Sequence, residues 1–225
     1  MSKRDQSSAD LDWREGGIPV SRRFDDPYFS LNGGLAETRH VFLAGNDLPA
    51  RLVPGFHIAE LGFGTGLNLL ALAQIARQPI RFTSFEAFPM GLDELTRAHA
   101  AFPELAGLSA QLRAGWAQDS FCVGQVQARV IRGDARLTLP AWQDRADAWF
   151  LDGFSPAKNP ELWGEDLLAQ VARHTVPGGS FATYTAAGHV RRALAGAGFA
   201  VSRVQGFAGK RHMSVGRLAP HLGDA

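Results

Sequence analysis

The sequence predicts a single α/β domain whose sheet is mostly parallel and covered by helices on both faces. Three observations carry that expectation. Short β-rich runs alternate with segments of helical periodicity from residue 56 to residue 198. A glycine-dense turn, "IAELGFGTGLNLL" at 58–70, joins the first strong strand to the first strong helix. Four acids, Glu60, Glu86, Asp134 and Asp152, stand at or just past predicted strand ends, where open α/β sheets bind their ligands.

The elements follow in order. "FHIAEL" (56–61) has the apolar run of a buried strand, and "GLNLLALAQIAR" (66–77) that of a helix. "IRFTSFE" (80–86) and "LDELTRAHAAF" (92–102) repeat the strand–helix pair. "ARVIRGD" (128–134) and "ADAWFLD" (146–152) are further strands, each ending in an acid. "NPELWGEDLLAQVARH" (159–174) predicts a helix with Asn159 as N-cap and Pro160 at the first helical position. "PGG" (177–179) turns the chain into the strand "SFATYT" (180–185), and "GHVRRALAGAG" (188–198) is a helix closed by glycine. "FAVSRV" and "HMSVGRL" pair as a closing hairpin.

Composition narrows the function classes. The 225 residues suffice for one well-buried domain, and 45% hydrophobic with 20% charged residues is ordinary for a globular protein. A net charge of +1 supplies no global field for nucleic acid. Cys122 is the single cysteine, which excludes an internal disulfide and a cysteine-rich zinc site and fits a reducing cytoplasm. The seven histidines are scattered, so no metal is expected. The first 17 residues are polar and lack an apolar core, so no secretory signal is expected. The longest uncharged apolar-looking run, 61–76, carries glycines and an asparagine and is too short to span a bilayer, so no membrane association is expected either.

The glycine loop discriminates between nucleotides. A dinucleotide fingerprint is G-x-G-x-x-G. Here Gly62 and Gly64 fit, but Leu67 stands at the third position and Gly66 comes one residue early, giving E-x-G-x-G-x-G from Glu60. A pyrophosphate favours the positive end of a helix and no acid nearby. S-adenosylmethionine carries a sulfonium and an ammonium instead, which suit a carboxylate at the loop. Glu86, 20 residues beyond Gly66, can take both ribose hydroxyls, and Asp134 can accept from the adenine amino group. The expected cofactor contacts are Glu60, Gly62, Gly64, Gly66, Asn68, Glu86, Asp134 and Asp152.

"DAWFLDGFSPAKNPELW" (147–163) is the most informative segment. A buried strand delivers Asp152 to the sheet's edge, Gly153 lets the chain turn, and Pro156 and Pro160 stiffen the exit. Phe154 and Trp163 add flat apolar surfaces. A carboxylate in a rigid loop beside a methyl donor suits an amine acceptor. A lysine-like amine has a pKa of ~10.4, and only its neutral form attacks. Asp152 is therefore the expected catalytic residue, orienting the amine or relaying its proton.

At this point the chain resembles the bacterial methyltransferase family that completes 5-methylaminomethyl-2-thiouridine at the tRNA wobble position. The matching segments are "DPYFSLNGGLAETRHVFLAGNDLP" (26–49), 56–70, "FTSFEAFP" (82–89), 147–163, "PGGSFATYTAAGHVRRAL" (177–194) and "GFAGKRHM" (206–213). The resemblance implies a class I, Rossmann-like S-adenosylmethionine-dependent fold with a mostly parallel seven-stranded sheet and a small N-terminal extension. It divides the chain into a flexible segment 1–23, one methyltransferase domain 24–218 that includes a family-specific extension 24–50, and a tail 219–225. It implies methylation of the aminomethyl group on C5 of wobble uridine in a tRNA anticodon stem-loop. Many relatives are fused to an oxidase that exposes this amine. With the chain ending at Ala225, separate enzymes are expected to supply the aminomethyl precursor.

"GLAETRHVFL" (34–43), with Glu37, Arg39 and His40, is either a solvated face or a lid edge over cofactor or base. Lys210 and Arg211 can hold an anticodon phosphate. Wobble bases lie in single-stranded loops and stack on aromatics, for which Phe154, Trp163 and Phe207 are the candidates. The expected substrate contacts are thus Phe154, Trp163, Lys210, Arg211 and Arg39. Relatives often carry an acid where this chain has His212. The rival reading is a methyltransferase for a small-molecule or protein amine, with the same cofactor site. A nicotinamide oxidoreductase is disfavoured by Leu67, and a non-catalytic module leaves Asp152 without a role.

Overall fold

A computed structural model describes residues 8–30 and 33–219. The first elements are short. β1 (Leu11–Arg14), β2 (Ile18–Ser21) and β3 (Asp26–Pro27) form an antiparallel three-stranded sheet. α1 (Gly34–Thr38) runs on into a π-helical turn at Arg39–Leu43. The buried Asn46 ties this segment to the main sheet, donating to the carbonyl of Trp149 at 3.2 Å and accepting from Ser180 Oγ at 2.6 Å.

The main domain then alternates β4 (His57–Leu61), α2 (Leu67–Ile75), β5 (Ile80–Glu86), α3 (Leu92–His99) and α4 (Ala106–Gly115). It continues with β6 (Ser120–Val123), β7 (Val126–Arg132), α5 (Ala135–Thr138), β8 (Ala146–Leu151), α6 (Glu165–Arg173), β9 (Thr175–Thr183), α7 (Gly188–Gly196), β10 (Phe199–Gln205) and β11 (His212–Leu218). The strands order as β10-β11-β9-β8-β4-β5-β7-β6. β9, β8, β4, β5 and β7 are mutually parallel, β6 and β11 run antiparallel to them, and β10, antiparallel to β11, shares their direction.

Leu69, Leu70, Leu95, Leu105 and Leu112 of the first helices fill one face of this sheet. Leu167, Val171, Val190 and Leu194 of the later helices fill the other. α2 is apolar nearly all round because the sheet lies on one side and α1 and α4 pack on the other. From β4 the chain moves outward to β5 and β7, then returns to place β8 on β4's opposite side. That reversal opens a crevice at the carboxyl ends of β4, β5 and β8.

Several expectations change in detail. The sheet has eight strands, the expected seven plus β6. This edge strand pairs with β7 across Gly124–Gln125, with Gly124 at φ 56°, a two-residue hairpin. Helix α4 also escaped the pattern, although Leu105, Leu108 and Leu112 carry its spacing. The helix expected over 159–174 is broken at Gly164, which is extended. Residues Pro160–Trp163 instead form a 3-10 turn that sends the Trp163 ring into the core. The "PGG" sequence lies inside β9 as an irregularity: Ala146 pairs with Thr175 but Ala148 with Ser180. Residues 11–14 and 18–21, read as part of a flexible leader, are strands fixed by mutual pairing and by the buried Ile18 and Val20. Residues 1–7, and the tail beyond Ala219, lie outside the described residues. Among the described residues no helix is long and apolar enough to cross a membrane.

Candidate active site

The crevice holds a pocket of about 1200 Å³. Its floor is the loop between β4 and α2. Gly62, Gly64 and Gly66 all have positive φ, at 83°, 54° and 74°. A Cβ on Gly62 would stand 3.0 Å from the Asp152 carbonyl, and one on Gly66 2.7 Å from the Phe63 ring. The glycines therefore let the loop turn tightly against the end of β8. Gly66 caps α2 without a side chain.

The four strand-end acids occupy different environments. Glu86 ends β5 and lines the pocket, accepting from Gly64 N at 2.8 Å and Phe88 N at 2.7 Å. Burial raises its pKa, opposed by those backbone donors. Its carboxylate also faces the pocket, where it can accept from a ligand hydroxyl. Asp134 lines the pocket rim and caps α5, accepting from Arg136 N at 2.9 Å. The Arg136 guanidinium beside it, with Nη2 at 2.6 Å from Oδ2, holds its pKa below the ordinary carboxylate value.

Glu60 is not at the surface of the pocket. It is 0% exposed beneath it, with Asn68 Nδ2 at 2.9 Å from Oε1 and Ser84 Oγ at 2.6 Å from Oε2. Burial pushes its pKa up to about 8, against the two hydrogen bonds. At neutral pH it is mostly protonated, so the expectation that it meets the cofactor's charge is corrected. Asn68 is the link. Its Nδ2 reaches both Glu60 and, at 2.9 Å, Asp152 Oδ2, while Thr38 Oγ1 donates to its Oδ1 at 3.0 Å.

Asp152 follows β8 and faces the pocket, with Gly153 N donating to its Oδ1 at 2.8 Å. Burial raises its pKa to about 6, with Asn68 and Gly153 opposing. It is thus the ionised carboxylate of this network at neutral pH.

Glu60 gives a pH prediction. Its folded pKa lies above the ordinary 4.5, so the folded state keeps a proton that the unfolded chain releases. The stability tied to that proton is full below pH 4.5 and is lost as pH rises to about 8. Glu60→Gln cannot ionise and can still accept from Asn68 and donate to Ser84. Its melting temperature should gain on the wild type from about pH 5 to 8 and level off above. Parallel melting curves across that range would mean that Glu60 is charged in the folded protein.

The remaining substrate candidates separate. Phe154 lines the pocket, stacked on Phe24 at 4.7 Å and edge-on to Tyr28 at 4.9 Å. Ser155 N donates to Asp26 Oδ2 at 2.9 Å, and Lys158 Nζ bonds the Asp25 carbonyl, so the N-terminal extension is fastened to this loop. Trp163 is corrected: it is 3% exposed, lies in the core, and donates its indole N–H to the Phe154 carbonyl at 2.9 Å. Arg39 is corrected too, since its guanidinium bonds Gln74 Oε1 at 2.6 Å, outside the pocket lining. Phe207 packs on His40 rather than entering the pocket. His212 pairs with Gln205 across the closing hairpin. Lys210 reaches toward the pocket, with Nζ 2.7 Å from Glu37 Oε1; Arg211 stays exposed outside the pocket lining.

Sequence reasoning passed over Tyr28 and Tyr184. They are the only two tyrosines of the chain, and both line the pocket. That scarcity was the available signal. Burial raises both phenol pKa values, so the hydroxyls stay neutral donors. Among the described residues no cluster of three or more His, Cys, Asp and Glu is placed to hold a metal.

A family model for S-adenosyl-L-methionine-dependent methyltransferases matches residues 104–219. The chain belongs to this family. The methyltransferase is 46% identical over 231 residues to the tRNA 5-methylaminomethyl-2-thiouridine biosynthesis bifunctional protein MnmC of Chromobacterium violaceum, covering 95% of this chain and 35% of that protein. With the protein of the same name from Ectopseudomonas mendocina the figures are 47% over 234 residues, 94% and 35%. The chain thus spans about a third of the length of these curated relatives. Among solved structures, MNMC2 from Aquifex aeolicus superposes with a TM-score of 0.71 at 25% identity, over 96% of this chain and 72% of that one. TrmN from Thermus thermophilus shares the fold, with a TM-score of 0.52 at 21% identity over 79% and 47% of the two chains.

The residues present fit S-adenosylmethionine, the cofactor of this methyltransferase. The glycine loop allows close approach, Glu86 offers ribose acceptors, the Asp134 rim can meet adenine, and Asp152 supplies negative charge. When bound, the cofactor supplies an electrophilic methyl group on a sulfonium.

Proposed function

We propose that this methyltransferase acts on the aminomethyl nitrogen at C5 of the wobble uridine in tRNA, giving 5-methylaminomethyl-(2-thio)uridine. The observation that carries the reading is the 46–47% identity, over nearly the whole chain, to proteins named for this biosynthesis. The site supports it with Asp152, an ionised carboxylate in a pocket lined by Phe154 and Tyr28 that can take a flat base. Glu86 and the glycine loop hold the cofactor, and Asp152 orients the amine and accepts its proton. Holding nucleophile and methyl in line accounts for ~7–11 kcal/mol of the barrier. Exposed Arg211 can meet a backbone phosphate. A reaction that leaves a primary amine on C5 must precede this one, and the reading implies a cytoplasmic enzyme.

The test is an anticodon stem-loop carrying either 5-aminomethyl-2-thiouridine or unmodified uridine at the wobble position, incubated with S-adenosylmethionine. Nucleoside mass spectrometry should find one added methyl in the first RNA and none in the second. Failure on both RNAs, with methylation of small amines, would establish the rival acceptor class.

A further inference from the structure

Lys210 lies in the loop between β10 and β11, and its ammonium reaches back over the pocket. Nζ stands 2.7 Å from Glu37 Oε1 and 4.6 Å from the centroid of the Tyr184 ring. The Glu37 side chain is only 14% exposed, whereas that of Lys210 is 51% exposed. Tyr184 is fixed in orientation. Its hydroxyl donates to the Gly153 carbonyl at 2.8 Å, and its ring meets Trp163 edge-on at 6.2 Å. Gly153 is the residue after Asp152, so the ring is anchored beside the pocket's carboxylate. Glu37, Tyr184, Lys210 and Asp152 all line the same cavity.

A shielded carboxylate beside an aromatic face is the chemistry that binds an alkylammonium ion. Here the bound alkylammonium belongs to the protein itself. We infer that Glu37 and the Tyr184 ring form the recognition site for the primary ammonium of the acceptor, and that Lys210 occupies this site until the acceptor displaces it. The inference rests on the reading of an aminomethyl acceptor. Glu37 and Tyr184 are half-buried, and the displaceable half sits on an exposed loop. A half-exposed ion pair is weak and readily exchanged. After exchange, the acceptor ammonium passes one proton to the Asp152 carboxylate, which later releases it to water. The neutral nitrogen is then free to attack. Selectivity for an amine over a hydroxyl follows, because only the cation replaces the interaction that Lys210 gives up.

The test uses the full chain saturated with S-adenosylhomocysteine, titrated with propylammonium and with 1-propanol and followed by NMR. If Lys210 fills the site about nine-tenths of the time, Lys210→Met should bind propylammonium about tenfold more tightly than the wild type. Adding Glu37→Gln to Lys210→Met should abolish that gain, and propanol should bind all three proteins alike. In steady state, Lys210→Met should lower the KM for the aminomethyl-uridine stem-loop, and Glu37→Gln should raise it. Unchanged propylammonium affinity in Lys210→Met would overturn the inference. So would a raised KM with a flattened salt dependence, the behaviour of a phosphate contact. If the wild type fails to methylate the stem-loop, the acceptor reading falls, while the propylammonium titration still decides the ammonium site.

Discussion

Asp152→Asn is expected to lower the rate of methyl transfer by ~10²–10⁴, the range for a positioned acid–base group. The substitution keeps size and shape. Asparagine can still accept from Gly153 N through its carbonyl oxygen, so the local turn should hold. Its amide would face Asn68 Nδ2 as donor against donor, unless Asn68 turns. What is removed is the negative charge that meets the amine and takes its proton. The folded pKa of about 6 adds a second signature. In the wild type, activity should fall as pH drops through about 6, because Asp152 becomes protonated, and should keep rising above that as more free amine forms. In the variant the limb near pH 6 should vanish, while the amine limb remains. Single-turnover methylation at near-normal rate by Asp152→Asn would make the carboxylate structural and leave the reaction to proximity alone.

Glu86→Ala should abolish most cofactor affinity. Charged hydrogen bonds are worth ~1.5–3 kcal/mol each, so losing two to the ribose weakens binding by roughly a hundredfold or more. Gly64 N and Phe88 N would also lose their acceptor, so the glycine loop itself should loosen. Calorimetry with S-adenosylhomocysteine measures the first effect. Thermal melting without ligand measures the second, and the two together separate lost contacts from a disordered loop. Unchanged affinity in a variant that melts normally would remove Glu86 from the cofactor site.

The alternation of strands and helices, the glycine loop and the four strand-end acids were legible because they depend on local chemistry. Period, turn residues and caps act over a few positions. The closing hairpin was readable for the same reason, and so was the resemblance carried by residues 147–163. Edge strand β6 and helix α4 carried weaker local signals, with a two-residue hairpin and an interrupted leucine spacing. The break at Gly164 depends on the Trp163 indole finding both the core and the Phe154 carbonyl, a contact nine residues distant in sequence.

What each acid does was decided by tertiary structure alone. Glu60 and Asp152 look alike in sequence, each at the end of an apolar strand. One is sealed under the pocket and stays mostly protonated at neutral pH; the other meets the pocket and ionises there. Burial sets that difference, because desolvation acts on a charge through every group packed around it and no window of sequence contains those groups. The same holds for Lys210. Its sequence, a basic pair in a glycine loop, suits a phosphate. Only the fold brings Glu37, 173 positions away, within 2.7 Å and turns the ammonium inward.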